Sequence, residues 1–190
     1  MKIAILGWGS LLWDNRPDFD QWHEVWQSDG PTLKIEFSRI STSRSGALTL
    51  VIDEKHGTPT TVAWCLSKRV NPDDAVCDLR CREGTTLKNI GRIDVAQQAE
   101  RQDFSTTHDT IVSWAREKGL DVVIWTALKS NFQEKTKRPF SVEAALSHLR
   151  ALTAEGKAKA AEYIRRAPSF VQTPLRTAVE KESWFSKACG

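Results

Sequence analysis

Two short stretches of this sequence have the residue types and spacing for chemistry. The first is Leu6-Gly7-Trp8-Gly9-Ser10-Leu11, directly after the apolar run of residues 2–6. Two glycines flanking one residue allow a sharp turn and a close approach to a ligand. Consecutive backbone N–H groups at such a turn can converge on an anion, and Ser10 can add a hydroxyl donor. A dinucleotide fingerprint needs a third glycine three residues after the second, and position 12 is Leu. No base visible in the sequence activates Ser10, so it does not read as a nucleophile. The stretch is either an oxyanion-binding turn or the plain end of a strand.

The second is Glu83. Val76, Leu79 and Glu83 follow one another at spacings of three and four, so in a helix they share a face. That face is apolar except at its last member, which puts a carboxylate at the edge of the core. Partial desolvation there raises a carboxylate's pKa toward the range useful for proton transfer. The competing reading is an exposed terminal Glu, or one paired with Arg80 or Arg82. A carboxylate and an anion-binding turn together suggest proton abstraction from an anionic substrate.

Elements to position these groups are legible on both sides. Residues 2–6 form a first strand, and residues 12–31 a covering loop with a short helix. Leu33, Ile35 and Phe37 alternate with polar residues as a half-buried strand. Residues 47–52 and 60–67 are two further strands around a polar turn containing Gly57, a hairpin with a longer loop. Asn71 caps a helix with Pro72 at its first position and Asp73 and Asp74 at its positive end; it runs to Glu83, where Gly84 stops it. Residues 84–104 have no clear assignment. Ser105, Thr106 or Thr107 caps a second helix ending near Lys118, and residues 120–128 are a strong strand. Ser141 caps a helix through about Glu155, stopped by Gly156, with another reaching Ala167. The tail after Pro174 adds one more helix or frays. This order predicts a mixed α+β fold, a small mixed sheet or partly closed β-barrel flanked by helices. Residues 1–190 read as one domain, with 175–190 a possible peripheral tail.

Composition narrows the class. At 190 residues a single chain hides about 70% of its extended surface, so a core needs no disulfide or metal. Eight Trp stand against one Tyr and one Met, and rings of that size must be buried or line a cleft. No run approaches the 18 or so apolar residues of a spanning helix, which excludes a membrane protein. The opening run is too short for a secretion signal, so Cys65, Cys77, Cys81 and Cys189 read as reduced thiols of a cytoplasmic protein. Cys77 and Cys81 lie four apart like half a metal site, but His23, His56, His108 and His148 are scattered and supply no other half. A net charge of +3 is slight for a nucleic-acid binder. The densest basic run, residues 135–138, reads as a solvated loop rather than an anion or nucleic-acid contact.

At the two chemical stretches the chain resembles the gamma-glutamylcyclotransferase superfamily. Its members open with a strand ending in Tyr-Gly-Ser, and here the run is Gly7-Trp8-Gly9-Ser10-Leu11-Leu12-Trp13. The likeness is nearest to the ChaC-like branch, whose opening reads Gly-Tyr-Gly-Ser-Leu-Ile-Trp. That branch places its catalytic Glu in an Arg-Glu pair ending a helix after a Val-Ala-Tyr-like strand. Here Val62-Ala63-Trp64-Cys65-Leu66 precedes Arg82-Glu83. Residues 47–52 take the place of the preceding apolar strand, and residues 141–156 resemble a later helix.

The resemblance implies a small barrel-like fold and conversion of a γ-glutamyl compound to 5-oxoproline with release of an amine or amino acid. It makes Glu83 the acid/base and gives the glutamyl end of the substrate to backbone N–H groups of the loop Gly7, Trp8, Gly9, Ser10 and Leu11. It requires no metal and no organic cofactor. Glutathione, a γ-glutamyl amino acid and a γ-glutamylamine all fit. Two departures stand out: Trp8 replaces the family Tyr, and Arg44-Ser45-Gly46-Ala47 keeps only part of the family's Gly-Thr segment. A non-catalytic protein that binds a small anion or γ-glutamyl ligand in the same turn is the alternative.

Overall fold

A computed structural model describes residues 1–100 and 106–187, excepting the side chains of 98–100 and 187. The fold is mixed α+β, with two open sheets flanked by helices; the strands of the described residues close no barrel. Contacts divide the chain into two compact units, Met1–Leu33 with Thr61–Leu128, and Lys34–Thr60 with Lys129–Gly190. No helix among the described residues is long and apolar enough to cross a membrane.

The first unit is built on a four-stranded sheet of β1 (Ile3–Gly7), β5 (Ala63–Leu66), β6 (Ile90–Asp94) and β7 (Val122–Thr126). The strand order is β5-β1-β7-β6, with β1 and β7 parallel at the centre and both edges antiparallel. A strand buried on both faces reads as an unbroken apolar run, and β1 and β7 do. The helix α2 (Pro72–Glu83) covers one face. Its Ala75 and Leu79 pack with Ile3, Ile5, Cys65 and Ile124. Successive strand residues face opposite ways, so Trp64 points to the other face. There its ring meets Trp114 of α3 (Thr106–Glu117) edge-on at 5.2 Å.

α2 has the ends its sequence requires. The Asn71 side chain accepts a hydrogen bond from Asp73 N–H, and Gly84 ends the helix at φ 56°, a left-handed conformation that glycine adopts without a side-chain clash. The expected loop 12–31 holds a helical turn, α1 (Pro17–Asp20), and two isolated bridges, His23 to Ser67 and Gln27 to Trp64. Both bridges lie along the outer edge of β5, which they cover.

The second unit carries a three-stranded sheet in the order β3-β2-β4, formed by β2 (Thr32–Ile40), β3 (Leu48–Ile52) and β4 (Thr58–Thr61). Helices α4 (Phe132–Thr136), α5 (Val142–Arg150), α6 (Ala154–Arg166), α7 (Pro174–Val179) and α8 (Ser183–Lys187) complete it. α6 docks on β3, where Leu50 N–H donates to the Tyr163 hydroxyl at 3.4 Å. Leu175 and Val179 of α7 are fully buried.

Several sequence expectations are corrected. Residues 60–67 are not one strand: β4 and β5 part at Val62, whose N–H donates to Pro31 O and whose carbonyl accepts from Gly30 N–H. Strand β2 lies between β3 and β4, so the expected hairpin of those two does not form. The unassigned region contains β6; its Ile90 and Ile93 are three apart, which masks the strand alternation. Gly156 does not stop a helix. The chain breaks after Arg150, Thr153 caps α6 by accepting from Gly156 N–H at 3.2 Å, and a β-carbon on Gly156 would lie 2.7 Å from Ser45 O. Lys135 and Thr136 end α4 rather than lying in a loop, although Lys135, Lys137 and Arg138 are exposed as expected. α3 begins at Thr106, so Thr106 and Thr107 lie inside the helix; the candidate cap Ser105 is outside the described residues, as is Cys189.

Candidate functional site

The site is assembled within the first unit, at the end of β1. A β-carbon on Gly7 would lie 2.9 Å from the Trp26 ring and 3.0 Å from Leu12, so the bare glycine lets both side chains close over the strand end. Trp8 and Leu11 are buried and Ser10 is half-buried. Residues Ser10–Leu12 form a single 3-10 turn with Gly9 before it. Leu12 N–H donates to Gly9 O at 3.0 Å, and Asp14 N–H donates to Ser10 O at 2.8 Å. The N–H groups of Trp8, Gly9, Ser10 and Leu11 make no backbone hydrogen bond among the described residues.

Glu83 is the last residue of α2, with its side chain 18% exposed, and Arg82 beside it is 4% exposed. Leu79, Arg82 and Glu83 stand three and four apart, so the buried helix face carries both charged groups to its end. Arg82 Nη1 lies 3.7 Å from Glu83 Oε1. Its Nη2 donates to Ser10 O at 3.0 Å and to Asp14 O at 2.8 Å, and lies 3.6 Å from Asp14 Oδ2. One guanidinium therefore spans the carboxylate and the turn.

Of the two readings for Glu83, the geometry combines features of both. Its carboxylate is mostly covered, and it is paired with Arg82. Arg80 instead donates to Cys81 Sγ at 3.2 Å. Arg16 adds a second cation. Its hydrogen bond to Asp14, 3.0 Å long, holds its pKa above the ordinary value, and Glu83 adds a weaker attraction. Two carboxylates and two guanidinium groups, from Asp14, Arg16, Arg82 and Glu83, thus gather beside the turn. Sequence reasoning found Glu83 and the turn but passed over Asp14 and Arg16, and it saw Arg82 only as an ion-pair partner. The spacing of Arg82 from Leu79 was the available signal.

The other chemical candidates lie apart. Cys65 is buried under α2, while Cys77 and Cys81 are free and exposed. Among the described residues no three His, Cys, Asp or Glu side chains converge as a metal site. A groove of about 640 Å³, lined by Met1, Asp94, Arg116 and Asp121 among others, lies at the opposite end of β1 and β7 and contains none of the site residues. The second unit holds a buried acid, Glu36. Burial raises its pKa to about 7 from the ordinary 4.5, against hydrogen bonds from the Thr173 hydroxyl and from Phe37 N–H at 2.7 Å.

A turn at the carboxyl end of a strand parallel to its neighbour is a common place for a ligand in open α/β sheets. Here the turn after β1 lies beside the side chains of Asp14, Arg16, Arg82 and Glu83. Compared with known proteins, the chain matches no family model, no curated protein and no solved structure.

Proposed function

We propose that the protein is a gamma-glutamylcyclotransferase-like enzyme that cyclises the γ-glutamyl group of a small γ-glutamyl compound to 5-oxoproline. The observation that carries this reading is the placement of Glu83 one guanidinium away from the turn after β1. Backbone N–H groups of residues 8–11 hold the glutamyl end of the substrate. Glu83 accepts a proton from the α-ammonium, freeing its nitrogen to attack the γ-carbonyl carbon. The new C–N bond closes the five-membered ring, and the bond to the leaving nitrogen breaks. The two protons lost by the ammonium end on that leaving nitrogen, with Glu83 as their carrier. Holding amine and carbonyl together supplies much of the acceleration, because the reaction is intramolecular once the glutamyl chain is folded.

Binding without turnover is a second reading, and the Arg82–Glu83 contact favours it. A carboxylate neutralised by a neighbouring guanidinium is a weaker base than a bare one. Incubation with glutathione, γ-glutamyl amino acids and γ-glutamylamines, followed by measurement of 5-oxoproline, separates the two. Release of 5-oxoproline from any of them supports the enzyme. Chemical-shift changes at Gly9, Ser10 and Leu11 on adding 5-oxoproline, with no release from any substrate, support the binding protein.

A further inference from the structure

Burying an arginine is costly, and the cost is offset only where every arm of the guanidinium finds a partner in good geometry. Arg82 satisfies most of that condition at a single place. Its Nη2 reaches two carbonyl oxygens of the same turn, those of Ser10 and Asp14, while Nη1 reaches Glu83. Nε is buried and has no hydrogen-bond partner among the described residues. The partners come from both halves of the proposed site, the turn that holds substrate and the carboxylate that moves the proton. A helix-ending arginine that served only the helix dipole would need neither contact.

We propose that Arg82 is a positioning residue, whose forked side chain fixes the turn of residues 10–14 against the end of α2 and holds the Glu83 carboxylate in one orientation beside it. The inference rests on reading residues 8–11 and Glu83 as one site. Arg82 touches no substrate; it acts through Glu83 and through the Ser10 and Asp14 carbonyls. The same guanidinium also lies against both carboxylates, 3.6 Å from Asp14 Oδ2 and 3.7 Å from Glu83 Oε1. A lysine keeps one charge but cannot span the three acceptors, because its donors radiate from a single nitrogen.

The test compares wild type, Arg82→Met and Arg82→Lys in the full chain by amide hydrogen exchange. In the Met variant the amides of Leu12, Trp13 and Asp14 exchange on the order of tenfold faster, while those of β1 and β7 keep wild-type protection. The Lys variant recovers part of the lost protection. On a turned-over γ-glutamyl substrate, the Met variant loses about tenfold or more in kcat with KM changed less than about threefold, as expected when the proton carrier is misaligned. Equal loss of protection in the turn and the strands makes Arg82 a general stabiliser and overturns the proposal. Wild-type protection of the turn in both variants overturns it as well. If the Met variant does not fold, the Lys variant bears the same comparison. A wild type that turns over nothing removes the enzymatic reading, and the exchange pattern still decides whether Arg82 ties the turn to α2.

Discussion

Arg82 Nη2 lies 3.0 Å from the carbonyl oxygen of Ser10, seventy-two positions earlier in the chain. The contact joins the last turn of α2 to the turn after β1, a central strand of the sheet that α2 covers. Packing and site geometry are coupled here: Leu79 is buried in the core, and three and four residues later the same face delivers Arg82 and Glu83.

Gly7→Ala tests the tight end of β1. The added β-carbon meets the Trp26 ring at 2.9 Å and Leu12 at 3.0 Å, distances that force one or both to shift. Overpacking of this kind costs about 1–3 kcal/mol. Urea unfolding of the variant is expected to show that loss, together with changed amide shifts at Trp8 to Leu12. Unchanged stability and shifts would mean that Trp26 does not close over the strand.

Stability should depend on the pH through Glu36. Its folded pKa, about 7, exceeds the ordinary 4.5, so between these values the folded chain holds a proton that the unfolded chain releases. Stability from this group is fully present below about pH 4.5 and is lost as pH rises through 7, by about 3 kcal/mol at most. Glu36→Gln keeps the acceptor for Phe37 N–H and cannot ionise. Chemical denaturation from pH 5 to pH 8 is expected to show the decline in wild type and a flatter profile in the variant. Parallel profiles would contradict the burial of a titrating Glu36.

Arg176 stabilises the second unit. Its buried guanidinium donates to the carbonyls of Ala167, Pro168 and Val171 at 3.2, 2.8 and 2.9 Å, satisfying the chain where it leaves α6. Arg176→Met takes this donor from all three oxygens and leaves Pro168 O its bond from Val171 N–H at 3.0 Å; a buried oxygen left without a donor costs about 1–3 kcal/mol, partly relieved by water. A loss of about 2–4 kcal/mol in urea unfolding is expected, and a loss within about 0.5 kcal/mol would show the carbonyls to be solvated already.

The reading of α2 from sequence was accurate because its signals are local: a cap at Asn71, Pro72, two acids and Gly84 all act within a turn of where they stand. The central strands β1 and β7 were equally clear, since burial on both faces leaves an unbroken apolar run. What escaped depends on partners distant in sequence. Nothing local in residues 60–67 shows that Val62 N–H will find Pro31 O and split the run into two sheets. Gly156 reads as a stop, yet it is a glycine because Ser45 O approaches it within α6. For the site, the two halves were visible separately, as a glycine turn and a carboxylate on an apolar face. The guanidinium joining them was not, because a charged residue beside Glu83 looks the same whether it points to water or to Ser10 O.

Cysteine reactivity checks the packing of β5. Burial pushes the Cys65 thiol well above its ordinary range, with Glu24 adding to the shift, whereas Cys77 and Cys81 are exposed. Thiolate is the reactive form. With iodoacetamide under native conditions, peptide mapping is expected to find Cys77 and Cys81 alkylated and Cys65 intact until denaturant is added. Native alkylation of Cys65 at a comparable rate would refute its place under α2.

The most direct test of the proposed chemistry is the rate of 5-oxoproline release by wild type and Glu83→Gln, side by side, on the γ-glutamyl substrate that wild type handles best. Gln keeps the size and hydrogen-bonding reach of Glu but accepts no proton at neutral pH. Amide spectra and the urea midpoint are expected to stay near wild type, because Gln fills the same space at the end of α2. Loss of acid–base catalysis predicts a fall of about 10²–10⁴ in kcat, or about 3–5 kcal/mol of barrier. Equal turnover by the two proteins would contradict Glu83 as the proton carrier.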